Sequence, residues 1–373
     1  MEVQQHTHGS TTRSAWQCGA QIGRYRLLRA LGVGGMAELY LAVEQGPRGV
    51  SKLVVLKRLR PHLLERGDMQ AMLVDEARLG ARFNHRNLVE VIDLDQVDGE
   101  PYYVMRYVPG ADLRTVLGLL RDRQEPLPLS LAVFVASELA SALHHAHELR
   151  DAGGQRLGVV HRDVSTSNVR LSMGGGVTLL DFGVAKSRGQ STQTRVGATK
   201  GNAAYMAPEQ CYGHAVDRRA DVFALGIVLY EMVTTQRLFA ASNAADSMVR
   251  VCTAPIVPPS VIRPELPKRL DKIILRALER DPARRFSSAA TFGHALEQLA
   301  EGHAWSAGGS VLTRLMGSLF ERPATPSDPV LPQGSEATPR SERSTEIQPC
   351  SYPTEPTDEL ATLPRMPTVP LAS

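Results

Sequence analysis

The segment Leu31-Gly-Val-Gly-Gly-Met-Ala-Glu-Leu-Tyr40 places three glycines between two apolar stretches. Glycines let a backbone approach phosphate oxygens closely, where side chains would collide. The pattern G-x-G-x-x-G ends here in Ala37 instead of glycine. Strand-like sequence follows the loop, not a helix, which argues against a dinucleotide-binding turn. Val54-Val-Leu-Lys57 then ends an apolar strand in a lysine. Its ammonium would reach the space under the loop and hold α- and β-phosphates. Asp75-Glu76 lies in the middle of a helical stretch, and a carboxylate there would orient Lys57 through an ion pair. Taken singly, these read as a glycine-rich turn, a strand-end lysine and a solvated helix charge.

Positioning these residues needs two kinds of structure. From Tyr25 to about Val108 the pattern suits short strands: Tyr25–Arg29, Ala37–Val43 and Lys52–Lys57 are apolar or β-branched. One helix interrupts them, Met69–Phe83, with Met69, Met72, Leu73, Ala77, Leu79 and Gly80 as its inner face. From Leu113 onward helices dominate. Ser130–Leu149 carries a stripe of Leu131, Phe134, Val135, Leu139 and Leu143. Val169–Leu171 and Val177–Leu180 form a hairpin turning at Gly174-Gly-Gly176. The fold class is α+β: a small β-rich lobe followed by a larger helical lobe. Ser310–Phe320 is an amphipathic helix expected to dock on the helical lobe.

Composition bounds the function. The chain has 373 residues, 42 Lys+Arg and 39 Asp+Glu, a net charge of only +3. That argues against nucleic acid or a membrane surface as the main partner. None of the four cysteines sits in a C-x-x-C pair, so neither a zinc site nor a disulfide scaffold is expected. The polar N-terminus lacks a signal core, and the apolar run Val222–Val233 is too short to span a bilayer and contains Glu231. A cytoplasmic location is the expectation. Residues 1–24 are expected to be disordered. So is the stretch 321–373, which holds 11 of the 24 prolines.

The sharpest signal is His161-Arg-Asp163-Val-Ser-Thr-Ser-Asn168, followed by Leu179-Leu-Asp181-Phe-Gly183 and then Ala207-Pro-Glu209. With Asp221-Val-Phe-Ala-Leu-Gly226 and Arg280-Asp-Pro-Ala-Arg-Arg285, the order resembles the eukaryotic-like bacterial serine/threonine protein kinases over about 25–299. The resemblance implies a bilobal kinase fold, with an N-lobe and hinge over 25–108 and a C-lobe over 109–303, and the amphipathic terminal helix read from its spacing falls in 304–320. It implies ATP and Mg²⁺ as cofactors and protein hydroxyls as acceptors, with transient self-association for autophosphorylation.

On that resemblance, Lys57 binds the α- and β-phosphates and Glu76 holds Lys57. Asp163 accepts or orients the hydroxyl proton. Asn168 and Asp181 bind Mg²⁺. The nucleotide lies against Leu31, Gly32, Val33, Gly34, Gly35, Met36, Ala37, Leu39 and Val55, with Met105 at the back of the pocket. Arg106 C=O and Val108 N–H meet the adenine from the hinge, and Arg170 lies beneath it. Glu209 pairs with Arg285, and Asp221 accepts hydrogen bonds from the catalytic-loop backbone. Arg162 receives a phosphate placed on the activation segment, where Ser187, Ser191, Thr192, Thr194 and Thr199 are candidates and Thr194 or Thr199 is preferred.

The sequence departs from the family pattern at Ala37, Val55, Arg170, Ser165 and Asn202. Val55 would tighten the pocket roof. Arg170 stands where an aliphatic side chain usually packs. Its stem is expected to supply that surface with the guanidinium in solvent, or else it weakens ATP binding. Ser165 replaces a lysine that usually steadies the γ-phosphate, leaving Lys186 or Lys200 as substitutes. Asn202 stands where threonine commonly bridges to the catalytic aspartate, a bond an amide can imitate. The rival readings are a pseudokinase, supported only by Ser165, Arg170 and Val55, and a docking role for the Pro-rich tail. Tyrosine specificity is disfavoured because the catalytic loop lacks the Ala-Ala-Arg-Asn or Arg-Ala-Ala-Asn pattern. A small-molecule phosphotransferase is disfavoured by the Ala-Pro-Glu segment.

Overall fold

The computed structural model describes residues 16–46, 51–182, 202–305 and 308–320. Six antiparallel strands form one sheet: β1 (Gln21–Ile22), β2 (Tyr25–Val33), β3 (Ala37–Gln45), β4 (Ser51–Leu59), β5 (Val91–Val97) and β6 (Glu100–Arg106), in the order β1-β2-β3-β4-β6-β5. Helix α1 (Gly67–Gly80) packs on one face of it.

Strand β4 is buried on both sides from Val54 to Leu59, and its two-residue period sorts its side chains. Val54 and Leu56 face Trp16, Tyr25, Tyr40 and Tyr102. Val55 and Leu59 face the buried stripe of α1, Met69, Leu73 and Ala77. Lys57 shares the parity of Val55 and Leu59, so the strand itself aims it at α1.

Residues 16–24 depart from the expectation of disorder. Trp16 is 4% exposed and Ile22 is fully buried. The Arg58 guanidinium lies 4.7 Å from the Trp16 ring and is itself bonded to Glu38 at 2.8 Å. A polar segment is ordered here by one aromatic side chain that closes the outer face of the sheet. Residues 1–15 lie outside the described residues, as does 321–373.

The larger lobe contains a second sheet, β7 (Gly110–Asp112), β8 (Val169–Ser172) and β9 (Val177–Leu179), beside helices α2 (Leu113–Asp122) and α3 (Leu129–His147). There follow α4 (Pro208–Cys211), α5 (Arg219–Thr234), α6 (Ala244–Thr253), α7 (Pro259–Ile262), α8 (Lys268–Ala277) and α9 (Ala289–Gly302). Every residue of α5 from Ala220 to Thr234 is buried, so it serves as the post around which the lobe packs. The last helix, α10 (Gly309–Phe320), buries Leu312 and Met316 in the core of this lobe, as its amphipathic spacing implied. Arg123 Nη1 donates to Ser318 O at 3.2 Å and fastens its end.

Candidate active site

Lys57, at the end of β4, is 9% exposed. Its Nζ lies 2.8 Å from Glu76 Oε1 on α1 and 3.0 Å from Asp181 Oδ1. Burial opposes the ammonium, but the Asp181 and Glu76 carboxylates outweigh it and hold the lysine pKa well above its ordinary range. Tyr103 on β6 donates to the same oxygen, Glu76 Oε1, at 3.1 Å and helps to fix the carboxylate. No sequence motif marks Tyr103. Its signal is parity, since Tyr103 pairs with Lys57 across the β4–β6 ladder.

Above this pair the β2–β3 turn carries the glycines. Gly34 N–H donates to Ala37 O at 2.8 Å and closes the turn. A Cβ on Gly32 would meet nothing within 4 Å, and one on Gly34 would make only ordinary contact with Ala37 O at 3.5 Å. The chain's own packing does not demand glycine at either position. Leu31, Met36 and Leu39 pack partly buried against the cluster that contains Val55 and Met105.

The segment 161–168 brings the polar groups together. Asp163 is held by two carboxamides. Asn202 Nδ2 donates to its Oδ1 at 2.9 Å and Oδ2 at 3.1 Å. Asn168 Nδ2 donates to Oδ2 at 3.0 Å and to the Asp163 carbonyl at 2.7 Å. Asn202 thus makes the bond expected of an amide in place of threonine. Ser165 is fully buried, so its side chain belongs to the interior of the lobe. Its neighbour Thr166 bonds Tyr205 OH at 2.6 Å, and Tyr205 donates to Glu231 at 2.6 Å. This buried relay ties the loop to α5.

Asp181 sits at φ 42°, in the left-handed region that aspartate tolerates better than most residues. Leu180 N–H donates to Asn168 O at 2.8 Å, which joins the two segments that carry Asn168 and Asp181. The Asn168 nitrogen is committed to Asp163, so its amide oxygen is the donor left for a cation. With the Asp181 carboxylate this makes a hard oxygen set that suits Mg²⁺, whose other ligands come from phosphate and water. The Phe182 ring lies 4.4 Å from His161 and 4.3 Å from Phe83. These tilted ring contacts run from the catalytic segment to the turn that follows α1.

Asp221, at the base of the loop, accepts from His161 N at 2.8 Å, Arg162 N at 2.8 Å and His147 Nε2 at 2.7 Å. His147 was not foreseen, although it lies eight residues from Leu139 and four from Leu143, on the buried stripe of α3. Burial pushes the Asp221 carboxyl up. The His147 hydrogen bond and charge, the charge of His161 and the His161 N–H outweigh it and leave the pKa below its ordinary 3.8. A depressed carboxylate pKa contributes stability above the ordinary value, and that stability is lost as pH falls through the folded value. Asp221→Asn is therefore expected to cost about 1–3 kcal/mol near neutrality. Urea melts from pH 7 downward should show the gap to wild type narrowing as the pH drops below 3.8.

Glu209 and Arg285 form a bidentate pair at 2.7 Å for each bond, as expected. Arg170 corrects its expectation. Its guanidinium does not run to solvent. Nε donates to Val108 O at 3.0 Å and Nη2 to Gly110 O at 2.6 Å. Gly183, Lys186, Lys200 and the hydroxyls from Ser187 to Thr199 lie outside the described residues.

A β-sheet lobe that holds a lysine–carboxylate pair over a helical lobe carrying an aspartate and its amide partners defines a protein kinase domain. The protein kinase domain family matches residues 25–297, and the chain belongs to that family, among the bacterial eukaryotic-like members. It is 42% identical over 281 residues to the tyrosine-protein kinase MasK of Myxococcus xanthus, covering 75% of this chain and 44% of that protein. It is 34% identical over 284 residues to the serine/threonine-protein kinase Pkn1 of the same species, covering 75% of this chain and 38% of the relative. The chain thus spans less than half the length of these relatives. The crystal structure of the Mycobacterium tuberculosis PknI kinase domain is similar with a TM-score of 0.58 and 30% identity, over 76% of this chain and 98% of that one.

Proposed function

We propose that the chain transfers the γ-phosphoryl group of ATP to serine or threonine hydroxyls of proteins, its own activation segment included. The observation that carries this reading is the intact set of Lys57 between Glu76 and Asp181, with Asp163 oriented by two amides. Lys57 holds the α- and β-phosphates, and Glu76 keeps its ammonium in place. Asp163 receives the acceptor hydroxyl's proton as the oxygen attacks phosphorus in line with the departing ADP oxygen. Asn168 and Asp181 hold Mg²⁺, which when bound neutralises phosphate charge. The glycine turn covers the phosphates, and Arg106 C=O and Val108 N–H position the base. Asn202 keeps the Asp163 carboxylate turned toward the acceptor without help from a lysine at position 165. The reaction belongs in the cytoplasm, where ATP and Mg²⁺ are supplied.

Tyrosine is the second acceptor to weigh, because the relative at 42% identity carries the name of a tyrosine kinase. Acid hydrolysis of autophosphorylated chain separates the two. Phosphoserine and phosphothreonine are expected, with Thr194 or Thr199 as the main sites. Phosphotyrosine alone would assign the chain the other specificity. Mg·ATP binding with no transfer, even after treatment with an active kinase, would make it a pseudokinase.

A further inference from the structure

Arg170 stands on β8 between Val169 and Leu171, both fully buried in the lobe core. The strand period therefore turns Arg170 to the opposite face, toward the hinge. There its guanidinium is engaged twice, on Val108 O at 3.0 Å and Gly110 O at 2.6 Å. Gly110 allows this approach. Its φ is 150°, and a Cβ there would lie 2.0 Å from Leu171 O. Only a residue without a side chain lets β7 come this close to β8.

Val108 precedes Pro109, and the proline ring keeps the residue before it extended. In extended backbone the N–H and C=O of one residue point to the same edge. A β-extended Val108 turns its carbonyl to the side on which, on the nucleotide reading, its N–H meets the base. Adenine offers, in order along its edge, the N6 amino group, N1 and the C2–H. Set against Arg106 C=O and Val108 N–H, the third position falls on Val108 C=O. In this chain that carbonyl already accepts from Arg170.

We propose that Arg170 is a base-selectivity residue, which engages the Val108 carbonyl and sets a cationic donor beside it, and so disfavours purines bearing an amino group at C2. The inference rests on the nucleotide reading of the site. An adenine C2–H needs no acceptor and loses little. An amino group at C2 meets a carbonyl it must share with Arg170 and a cationic N–H donor beside it. The amine must then share the oxygen while facing the cationic N–H, or displace the guanidinium, and either weakens binding in a half-buried site. Guanine carries an amino group at the same carbon, so the same bond works against GTP.

The test compares ATP with its 2-amino derivative, identical outside the base edge. Their dissociation constants are measured on wild-type chain and on Arg170→Met. Wild type is expected to prefer ATP by about tenfold or more. In Arg170→Met the freed carbonyl accepts the amino group, and the preference is expected to fall to about unity or reverse. Equal affinities in wild type would overturn the inference without using a variant. An unchanged preference in a folded Arg170→Met would overturn it as well, while leaving the kinase reading intact. If wild type bound neither nucleotide, both would fall.

Discussion

Asp163→Asn is expected to lower the rate of phosphoryl transfer by about 10²–10⁴-fold, the usual worth of a positioned general base. The substitution keeps the side-chain volume and removes the charge and one acceptor. In wild type, Asn168 and Asn202 together direct three N–H contacts at the two carboxylate oxygens. An amide at position 163 offers one oxygen and turns an NH₂ toward groups that are themselves donors, so orientation is lost with basicity. In the proposed mechanism the nucleotide is held elsewhere, by Lys57 and the hinge. ATP affinity should therefore change by no more than about threefold, a difference of well under 1 kcal/mol. Single-turnover transfer measured beside equilibrium nucleotide binding separates the two quantities. A variant that kept wild-type rates would remove Asp163 from the chemistry.

The second large effect is on stability. Arg285→Ala is expected to cost about 3–5 kcal/mol, because it leaves a buried carboxylate without its partner. The Arg285 side chain is fully buried and Glu209 is 7% exposed. The same guanidinium also donates to the carbonyls of Glu279, Arg219 and Arg280, at 2.6, 3.0 and 3.0 Å. One side chain thus ties α4 to the start of α5 and to the segment before α9. For a domain of this size the loss corresponds to a fall in Tm of roughly 6–20 °C. Arg285→Lys keeps the charge but not the planar fork, and should recover only part of the loss. A melt unchanged to within about 1 °C would show that the pair contributes nothing net, as many exposed ion pairs do.

Legibility in the sequence followed the range of the interactions. The catalytic segment was readable because His161, Asp163 and Asn168 lie within eight residues. Lys57 and Glu76 were each visible as a strand-end lysine and a mid-helix carboxylate, but their pairing came from resemblance. The Glu209–Arg285 and Asp221 contacts came from resemblance, since nothing local links residues so far apart. What stayed hidden depended on register or on a single side chain. The direction of Arg170 is set by its pairing with Asp112 and Thr178 and by the close approach at Gly110. The order of residues 16–24 rests on Trp16, one aromatic in a polar stretch. His147 could not be told from His144 and His145 by type, only by its place on the stripe of α3. Ser165 read as a lost charge in the cleft, whereas its side chain is buried in the lobe.

The most direct test of the central claim is transfer of labelled γ-phosphate from Mg·ATP to purified chain and to a general protein acceptor, with Asp163→Asn alongside. Label on serine or threonine in wild type, and not in the variant, is the predicted result. It would also show that a buried serine at position 165 is compatible with turnover. Wild-type chain that binds Mg·ATP yet places no label on itself or on the acceptor, even after phosphorylation by another kinase, would contradict the account.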